Sequence, residues 1–536
     1  MIPLNDTATQ LLLLAVVVLP LLGAGAALLP APPGLRGTGP EQAVLRHGVT
    51  VTGAVLAAAL LLAAAFDHDR PGTVQAATDV SWIPALGVRL HLGVDGVSLP
   101  LVVLTALLCF LCALYSYRRM PAGPRPQAFV ALLLLLEAGT LATFAALDLV
   151  VFFLAFETVL VPMYFVIARW GGEGREAAAR KFVLYTLLGS VVMLLGLLLL
   201  GLSAPGGPTF DMTVLAENHG RGVGHTTQLL AALAVGAGLA VKAPMWPLHS
   251  WLPDAHTAAP TAGSVLLAGV LLKMGTYGLV RIVLPMAPDG IHTLAPYLAA
   301  FATTGIVYGS LACLFLARRG NGGDLKRLIA YSSVGHMGFV LLGIATLTRT
   351  GVNGALFANV AHGLITGLLF FLAGAIKERT GTTDLDRLAS GGGGGGAALY
   401  GRAPRLGGLL AFAAVASLGL PGLAGFWGEL LALLGAYHPA DGLSRPAYLV
   451  FLAFGALGTL LTAAYLLVVV RRVCMGEPPG EGTAPGGGAA LPDVRAHEFA
   501  AWTPLVVLTV LAGLWPALLL GLTDPAVQSI LPGVGR

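Results

Sequence analysis

Charged residues are scarce in this chain. Asp, Glu, Lys and Arg make up only 10% of its 536 residues, whereas a soluble domain has about 25%. Hydrophobic residues make up 56%, and the mean hydropathy is +0.84. This composition excludes a soluble globular domain and predicts an all-α polytopic membrane protein in a lipid bilayer. The net charge of +4 lies in the loops and does not call for a nucleic-acid partner.

Sequence motifs for cofactors are also missing. There is no GxGxxG, Walker-type loop or haem-attachment CxxCH. Cys109 and Cys112 form a CxxC, but they lie in an apolar segment without a second cysteine pair or a nearby histidine, which argues against zinc or thioredoxin chemistry. The six glycines Gly391–Gly396 lack the preceding strand of a phosphate loop and are interpreted as a flexible linker. We therefore expect neither a cofactor nor a metal in this chain.

Fourteen apolar segments are long enough, at about 20 residues, to cross a bilayer as helices. They cover residues 11–29, 48–66, 97–115, 127–146, 149–167, 181–202, 229–252, 261–284, 293–317, 328–346, 353–376, 408–437, 448–470 and 503–522. Asp6 stands where a signal peptide would be basic, so the first segment is interpreted as a mature helix.

Two of the predicted helices contain breaks. Pro244, Pro247 and Pro253 interrupt the seventh, and a Gly-Leu-Pro-Gly sequence at 419–422 interrupts the twelfth. Breaks five helices apart indicate two inverted five-helix repeats. We therefore divide the chain into N-terminal helices 1–3, a first repeat of helices 4–8, an inverted second repeat of helices 9–13, and a cytoplasmic loop with helix 14. The corresponding boundaries are 1–126, 127–284, 285–474 and 475–536.

The arginines and lysines of the loops are unevenly distributed. The loops after odd-numbered helices hold 21 of them, and the side with both termini holds seven. The positive-inside rule therefore places the first set of loops in the cytoplasm and both termini on the outer side. Asp148, at an outer helix end, is expected to be solvated.

Seven ionisable residues are predicted to lie at membrane depth. A charge at the centre of a spanning helix costs roughly 2.5–3.5 kcal/mol on insertion scales, so such residues face protein or water and usually mark ion or proton paths. The seven, in chain order, are Glu137, Glu157, Lys242, Lys273, His336, His362 and Glu429. Acids, amines and imidazoles can each gain or lose a proton, so the set is typical of a proton relay.

These residues also have structural interpretations. Lys242 and Lys273 could each form a structural salt bridge, although a functional role is favoured for both. His336 and His362 could equally be hydrogen-bonded packing residues. Glu137 could simply stay protonated, which makes it the weakest candidate for the relay.

Four motifs resemble those of the proton-translocating membrane subunits of respiratory complex I and the related Mrp-type cation/proton antiporters. The longest covers residues 241–275 and contains VKAPMWPLHSWLPDAHTAAPTAGS. The others are FE and VPMYF within 156–165, KRLIAYSSVGHMGF at 326–339, and GLPG followed by FWGE within 419–429. Glu429 makes the chain most similar to the M-type subunits, because the L-, N- and Mrp D-type subunits resemble one another in having a lysine there. The chain also ends after helix 14, without the long lateral helix of the L-type subunit.

The resemblance implies one proton path. Its roles are Glu157 as the carboxylate partner of Lys242, Lys273 as the central relay, His336 and His362 as the connecting relay with waters, and Glu429 as the terminal proton site. It also implies a membrane-arm subunit of NADH:quinone oxidoreductase in a bacterial plasma (inner) membrane, coupled to quinone reduction elsewhere in the complex.

The same resemblance assigns the redox groups to other chains. NADH, FMN, iron–sulfur clusters and quinone would be bound by partner subunits, and L-, N- and K-type membrane subunits would be neighbours. Two alternatives stay open: a subunit of an Mrp-type cation/proton antiporter, and the membrane subunit of a hydrogenase-type complex. Sodium-dependent transport would favour the antiporter, whereas co-purification with iron–sulfur and NADH-binding subunits would favour complex I.

The predicted topology can be tested by cysteine labelling. In intact cells, Arg118→Cys should be protected from an impermeant thiol reagent, and Arg536→Cys should be labelled, because only the second site is predicted to face outward. Permeabilised cells provide the control, since both sites should then react. Labelling of Arg118→Cys in intact cells would contradict the orientation.

Overall fold

The computed structural model describes residues 5–29, 40–390, 398–475 and 491–531. These residues are mostly helical, and the predicted linker Gly391–Gly396 lies outside them. In chain order the helices are α1 (Asp6–Leu28), α2 (Pro40–Ala65), α3 (Leu99–Arg118), α4 (Pro126–Ala145), α5 (Leu149–Thr158), α6 (Leu160–Trp170), α7 (Arg175–Leu202), α8 (Met212–Asn218), α9 (His225–Lys242), α10 (Trp251–Ala258), α11 (Thr261–Leu266), α12 (Leu272–Gly278), α13 (Leu284–Met286), α14 (Pro288–Ala317), α15 (Leu325–Ala345), α16 (Arg349–Thr380), α17 (Leu385–Ser390), α18 (Leu399–Arg402), α19 (Pro404–Ser417), α20 (Ala424–Tyr437), α21 (Arg445–Cys474), α22 (Ala496–Leu514) and α23 (Ala517–Ile530).

Twelve helical stretches of the described chain are long and apolar enough to cross a membrane. They are α1 to α4, α5 with α6, α7, α11 to α13 as one stretch, α14, α15, α16, α21 and α22. The prediction of a mostly helical membrane fold is confirmed. The broken pairs α9–α10 and α19–α20 cover the other two predicted segments, 229–252 and 408–437. The number of segments that cross the bilayer stays a prediction.

Both predicted breaks are present. α9 ends at Lys242, and residues 243–250 form turns before α10 begins at Trp251. Between α19 and α20, Gly419 has a φ of +75°, a conformation that glycine adopts without steric cost. Breaks at these two places fit the predicted inverted repeats, whose boundaries also stay a prediction.

The C-terminal segment forms two helices where one was predicted over 503–522. α22 ends at Leu514 and α23 begins at Ala517. Pro516 lies between them, and a proline both lacks an N–H and disfavours helical geometry in the residue before it. Trp515 accordingly has φ −130° and ψ 71°.

A β-hairpin joins α2 to α3. Its antiparallel strands are β1 (Gln75–Ile83) and β2 (Val88–Val94), and a 3₁₀ turn (Pro84–Leu86) lies between them. This hairpin was not predicted from the sequence, because its strands are shorter than the apolar segments that span a membrane. Residues 88–92 read Val-Arg-Leu-His-Leu, and this alternation of apolar and polar residues is a strand signal.

Polar contacts link segments that are distant in sequence at the two ends of the helix bundle. At the end that carries the hairpin, His91 Nδ1 lies 2.9 Å from Asp211 Oδ2, in the loop before α8. At the opposite end, Lys181 Nζ donates to Asp254 Oδ2 at 2.7 Å. We call these the hairpin end and the opposite end. The loops predicted to lie outside meet at the hairpin end, and those predicted to be cytoplasmic meet at the opposite end.

The helices that carry the central candidate residues are the most buried. In the most apolar window of each, 94% of residues are buried for the stretch α11–α13 and 89% for α15 and α16, compared with 39% for α1. Lys273, His336 and His362 lie on these three inner stretches. Their polar groups are therefore surrounded by protein, which is where ionisable side chains are tolerated at membrane depth.

A buried ion pair holds α16 at the opposite end. Arg379 donates two hydrogen bonds, of 2.9 and 2.6 Å, to the carboxylate of Glu498 on α22. The two side chains are 1% and 0% exposed. The backbone N–H of Arg495 donates to the same carboxylate at 2.8 Å. The pair fixes α16, and with it His362, relative to α22.

Arg379→Ala should destabilise this packing strongly. It leaves Glu498 as an uncompensated buried charge, which typically costs about 3–5 kcal/mol. The measurement is the yield and thermal stability of purified protein. Arg89→Ala, which removes the exposed ion pair with Asp79, is the matched control and should change both quantities little. Equal effects of the two variants would contradict a structural role for the buried pair.

Candidate functional site

Lys273 lies at the centre of the site. It is on α12, between π-helical turns at Leu267–Leu271 and Leu279–Val283, and its side chain is 0% exposed. Its Nζ lies 2.7 Å from Nδ1 of His362 on α16 and also donates to the backbone oxygen of Ala268. π turns shift the backbone hydrogen-bond pattern and often occur at functional sites.

Two glycines allow the close contact between Lys273 and His362. A Cβ added to Gly363 would lie 2.8 Å from the backbone oxygen of Gly269 and 2.7 Å from Leu104 Cδ2. A side chain at Gly363 would therefore push α16 away from the π turn before Lys273. The backbones approach at the residue next to His362, which brings the imidazole within reach of the amine.

His336 and Glu429 form the second half of the site. His336 Nδ1 lies 3.2 Å from Glu429 Oε1, and its Nε2 lies 3.0 Å from Ser417 Oγ. Thr459 donates to Glu429 Oε2 at 3.2 Å. Ser417 ends α19 and Glu429 lies on α20, so the broken helix delivers two of these groups.

These partners suit both protonation states of His336. A protonated imidazole can donate to Glu429 and to Ser417, whereas a neutral one can donate through one nitrogen and accept through the other. The Ser417 hydroxyl can either donate or accept, so it adjusts by rotation. The imidazole can therefore take up and release a proton without losing a hydrogen bond.

A small cavity joins the two halves. It has a volume of about 30 Å³ and is lined by both histidines, Ser417 and Glu429. The ring centroids of His336 and His362 are 5.8 Å apart, and His362 Nε2 is buried with no hydrogen-bond partner in the described part of the chain. The volume is large enough for one water molecule.

Lys242 and Glu157 are near each other but are not in contact. Lys242 is 2% exposed, and its Nζ lies 4.8 Å from the ring centroid of Phe156, a cation–π geometry. Glu157 is half-buried on α5 beside Ser190 of α7. It is close enough to Lys242 for an electrostatic attraction between the two side chains. Within the described residues no carboxylate oxygen lies within 4.0 Å of Lys242 Nζ. The predicted pairing therefore stays a prediction.

Glu137 stands apart from the other candidates. Its side chain on α4 is 0% exposed, and both carboxylate oxygens are buried without a hydrogen-bond partner among the described residues. Such a carboxyl is most stable in its neutral form. The structure does not join Glu137 to the contacts around Lys273.

Three buried basic residues were missed in the sequence. His256 on α10 is 0% exposed, has no partner for either nitrogen among the described residues, and stacks on Phe370 at a centroid distance of 4.5 Å. Lys326 was counted as a loop charge, but it is 3% exposed and donates to the backbone oxygen of Ala259 at 2.9 Å. His249 is 5% exposed and packs against Tyr308. The proline-rich motif at 241–275 contains both His249 and His256, and its presence in an apolar segment was the signal that could have identified them.

The expectation that Asp148 is solvated is wrong. The side chain is 0% exposed and accepts hydrogen bonds from the backbone N–H groups of Val150, Val151 and Arg89, at 2.8, 3.2 and 3.0 Å. Burial raises its pKa, and these donors offset that effect only in part. The hairpin, which the sequence interpretation lacked, covers this helix end.

Comparisons with known proteins agree with this architecture. The family model for the NADH:quinone oxidoreductase/Mrp antiporter transmembrane region matches residues 146–462. NADH-quinone oxidoreductase subunit M of Rhodobacter capsulatus is 39% identical over 507 residues, which are 92% of this chain and 92% of the relative.

Solved structures show the same fold. A chain of respiratory complex I from Thermus thermophilus with bound NADH superposes with a TM-score of 0.82 at 32% identity, over 98% of this chain and all of that one. A chain of the Mrp complex from Dietzia superposes with a TM-score of 0.80 at 23% identity, over 98% of each chain, and shows the fold alone. The matched region holds the Lys242, Lys273, His336, His362 and Glu429 positions, and the chain therefore belongs to the NADH:quinone oxidoreductase/Mrp antiporter family of membrane subunits, as a relative of the M subunits.

Proposed function

We propose that the chain is the proton-translocating M-type subunit of a bacterial NADH:quinone oxidoreductase. Protons move through Glu157, Lys242, Lys273, His362, His336 and Glu429, and quinone reduction in other subunits drives the movement. The observation that carries this proposal is the series from Lys273 through the two histidines to Glu429, in which neighbouring groups are hydrogen-bonded or in ring contact. All of them are buried except His336, which is partly buried.

The series has the properties that proton transfer requires. Lys273 and His362 share one hydrogen bond of 2.7 Å, so a proton can shift between the amine and the imidazole. A water in the cavity would connect His362 Nε2 to Ser417 or Glu429, which line the same cavity and both contact His336. Lys273, His362 and Glu429 are buried in protein, as ionisable side chains at membrane depth usually are.

The connection between Lys242 and Lys273 is longer. His256 lies on α10, which follows α9 with Lys242 and precedes the stretch α11–α13 with Lys273. Its unpartnered ring nitrogens and the turns at 243–250 leave polar groups for water to bind. We assign His256 to the segment of the path that leads towards Lys273.

Other subunits supply the rest of the complex. NADH, FMN, iron–sulfur clusters and quinone are bound elsewhere, and the L-, N- and K-type membrane subunits are the proposed neighbours. The chain lies in the bacterial plasma membrane with both termini and the hairpin end outside. The orientation is predicted from the loop charges and the relay from the buried residues, so the two proposals can be tested separately.

The antiporter alternative is weaker because of Glu429. The family resemblance gives the Mrp D-type subunit a lysine at that position, whereas here a carboxylate contacts His336 and Thr459. The difference at this position separates the chain from the Mrp D-type subunit, and the carboxylate here can receive a proton from the imidazole it contacts. The anchor of a hydrogenase-type complex stays a second alternative, and copurified subunits decide it.

Lys242→Ala and Glu157→Ala should each lower proton pumping by roughly an order of magnitude or more, the scale on which a positioned acid or base acts. The measurement is the number of protons moved per NADH oxidised in membrane vesicles, with assembly checked on native gels. Lys377→Ala, which removes an exposed lysine, is the control and should pump normally. Normal pumping by an assembled Lys242→Ala complex would refute its role in the relay.

Glu429→Gln tests the terminal site. The amide keeps shape and hydrogen bonding to Thr459 but cannot carry the proton, so pumping should fall severely while the complex assembles. Glu429→Asp shortens the side chain without removing the acid and should retain partial activity. Glu429→Lys changes the local charge by two units beside His336 and should not restore function.

The exposed acid Glu176 provides the matched amide control, and Glu176→Gln should behave as the parent. A parallel run without sodium separates proton pumping from antiport, because an antiporter should lose transport there. Parent-level pumping by Glu429→Gln would make Glu429 structural and remove the main argument for the M-type assignment. Glu137→Gln should leave pumping intact if the isolated carboxyl is outside the path.

A further inference from the structure

The stretch that carries Lys273 ends in a second buried charge. Eight residues after Lys273, in the second π turn, Arg281 forms an ion pair with Asp95. Their side chains are only 11% and 5% exposed. The family relay as described above uses neither residue.

Asp95 is held rigidly in front of α3. Its Oδ1 accepts hydrogen bonds from the backbone N–H groups of Val97 and Ser98, at 3.1 and 3.0 Å, and its own N–H donates to Ser98 Oγ at 3.0 Å. Oδ2 accepts from Arg281 Nη1. The carboxylate is therefore fully occupied, and it fixes the guanidinium at one place.

A cavity of about 210 Å³ at the hairpin end reaches this ion pair. Its lining includes Asp95, Arg281, Thr213, Glu217 and His219, and Glu217 is exposed at the surface. The volume holds several waters at about 30 Å³ each. Water from the hairpin end can therefore approach as far as Arg281.

Beyond Arg281 the chain is tightly closed. Tyr277, one helical turn closer to Lys273, is 0% exposed, and its hydroxyl donates to the backbone oxygen of Phe144 at 3.0 Å. Leu279 and Val280 are also buried. At a rise of 1.5 Å per residue, Arg281 and Lys273 are about 12 Å apart along the helix. This short distance separates an aqueous cavity from the central lysine of the proposed relay.

We propose that Arg281 is an electrostatic seal that prevents protons at the hairpin end from reaching Lys273. A guanidinium stays charged at physiological pH, and an arginine at a constriction repels protons and cations. It also occupies the one carboxylate at the inner end of the cavity. This inference rests on the proposed function, because it assumes that Lys273 carries protons and that the hairpin end faces outward, where a pump accumulates them.

Removal of Arg281 should convert the barrier into a leak. Arg281→Ala enlarges the cavity towards Tyr277 and frees Asp95, a carboxylate that can then accept protons from the water. Protons would pass from Asp95 to Lys273 and on to the other side. The seal thus accounts for the arginine and its ion pair with Asp95 at the end of the stretch that carries Lys273.

The test is passive proton conductance in membrane vesicles that contain the assembled complex. A pH step is imposed without NADH, and a pH-sensitive dye records proton entry. Arg281→Ala should conduct several-fold more than the parent, oxidise NADH at a similar rate and move fewer protons per NADH. Arg281→Lys should restore most of the seal. Arg221→Ala, an exposed arginine at the same end, is the matched control and should not leak.

A double variant separates a proton path from a packing defect. If the leak passes through Lys273, adding Lys273→Met to Arg281→Ala should abolish it, whereas a leak that persists would overturn the proposal. Parent-like conductance in the assembled Arg281→Ala complex would overturn it as well. If that variant does not assemble, Arg281→Gln, which keeps more of the side chain than alanine but removes the charge, takes its place.

Asp95→Asn provides a further arm. It keeps an acceptor for the N–H groups of Val97 and Ser98, and it leaves the arginine charge in the cavity, so it should not leak. A leak from Asp95→Asn would show that the ion pair closes this end only by packing, and would overturn the electrostatic seal. The passive conductance measurements need no pumping, so failure of the relay proposal in the Glu429 experiment is distinguishable from failure of the seal.

Discussion

The structure depends on the cost of keeping a lysine away from both water and lipid. Lys273 is completely buried, and an ammonium in that position needs protein groups around it. The chain meets this need by placing α11–α13, α15 and α16 at the centre and more lipid-exposed helices such as α1 at the edge. The apolar outer helices therefore surround the inner helices that carry the ionisable side chains.

Breaks in the backbone are the second consequence. A continuous helix satisfies its own N–H and C=O groups and presents side chains only from its surface. The interruption after Ser417 brings that residue and Glu429 to the same imidazole, which one straight helix across this point would not do. The π turn before Lys273 is a second irregularity, and the amine of Lys273 donates to the carbonyl of Ala268 within it. Ionisable side chains and irregular backbone occur together here because a continuous helix presents side chains only from its surface.

Much of the architecture could be predicted from the sequence. Long apolar runs fix the helices, and proline or glycine at 244–253 and 419–422 fixes the breaks, because both signals are local. The hairpin and the division of the last helix at Pro516 were missed, since short elements carry weaker signals than runs of 20 residues.

The site was predictable in its membership but not in its contacts. Four of the seven ionisable residues named from the sequence, Lys273, His362, His336 and Glu429, lie together in the contacts around one small cavity, because an ionisable residue in an apolar run is rare enough to be noticed. Which of them touch depends on packing between distant segments, as at Gly363 and Gly269. Lys326 and Asp148 were misjudged for the same reason: each lies at a helix end that another part of the chain covers.

The two halves of the proposed path differ in how closely their groups approach. The contacts from Lys273 to His362 and from His336 to Glu429 are short, and a cavity large enough for one water lies between the two histidines, so transfer there needs a water but no movement of helices. Between Glu157 and Lys242 a gap remains, and Phe156 lies against the amine instead. The interaction of two charges varies steeply with distance in a medium of low dielectric constant, so a small movement of α5 towards α9 would change the proton affinity of Lys242 considerably. A driving signal from elsewhere in the complex acts most effectively where such a gap exists, and it would have little to change in the half that is already hydrogen-bonded. The gap between Glu157 and Lys242 is therefore where we expect control of the proposed path, and the series from Lys273 to Glu429 is where we expect conduction.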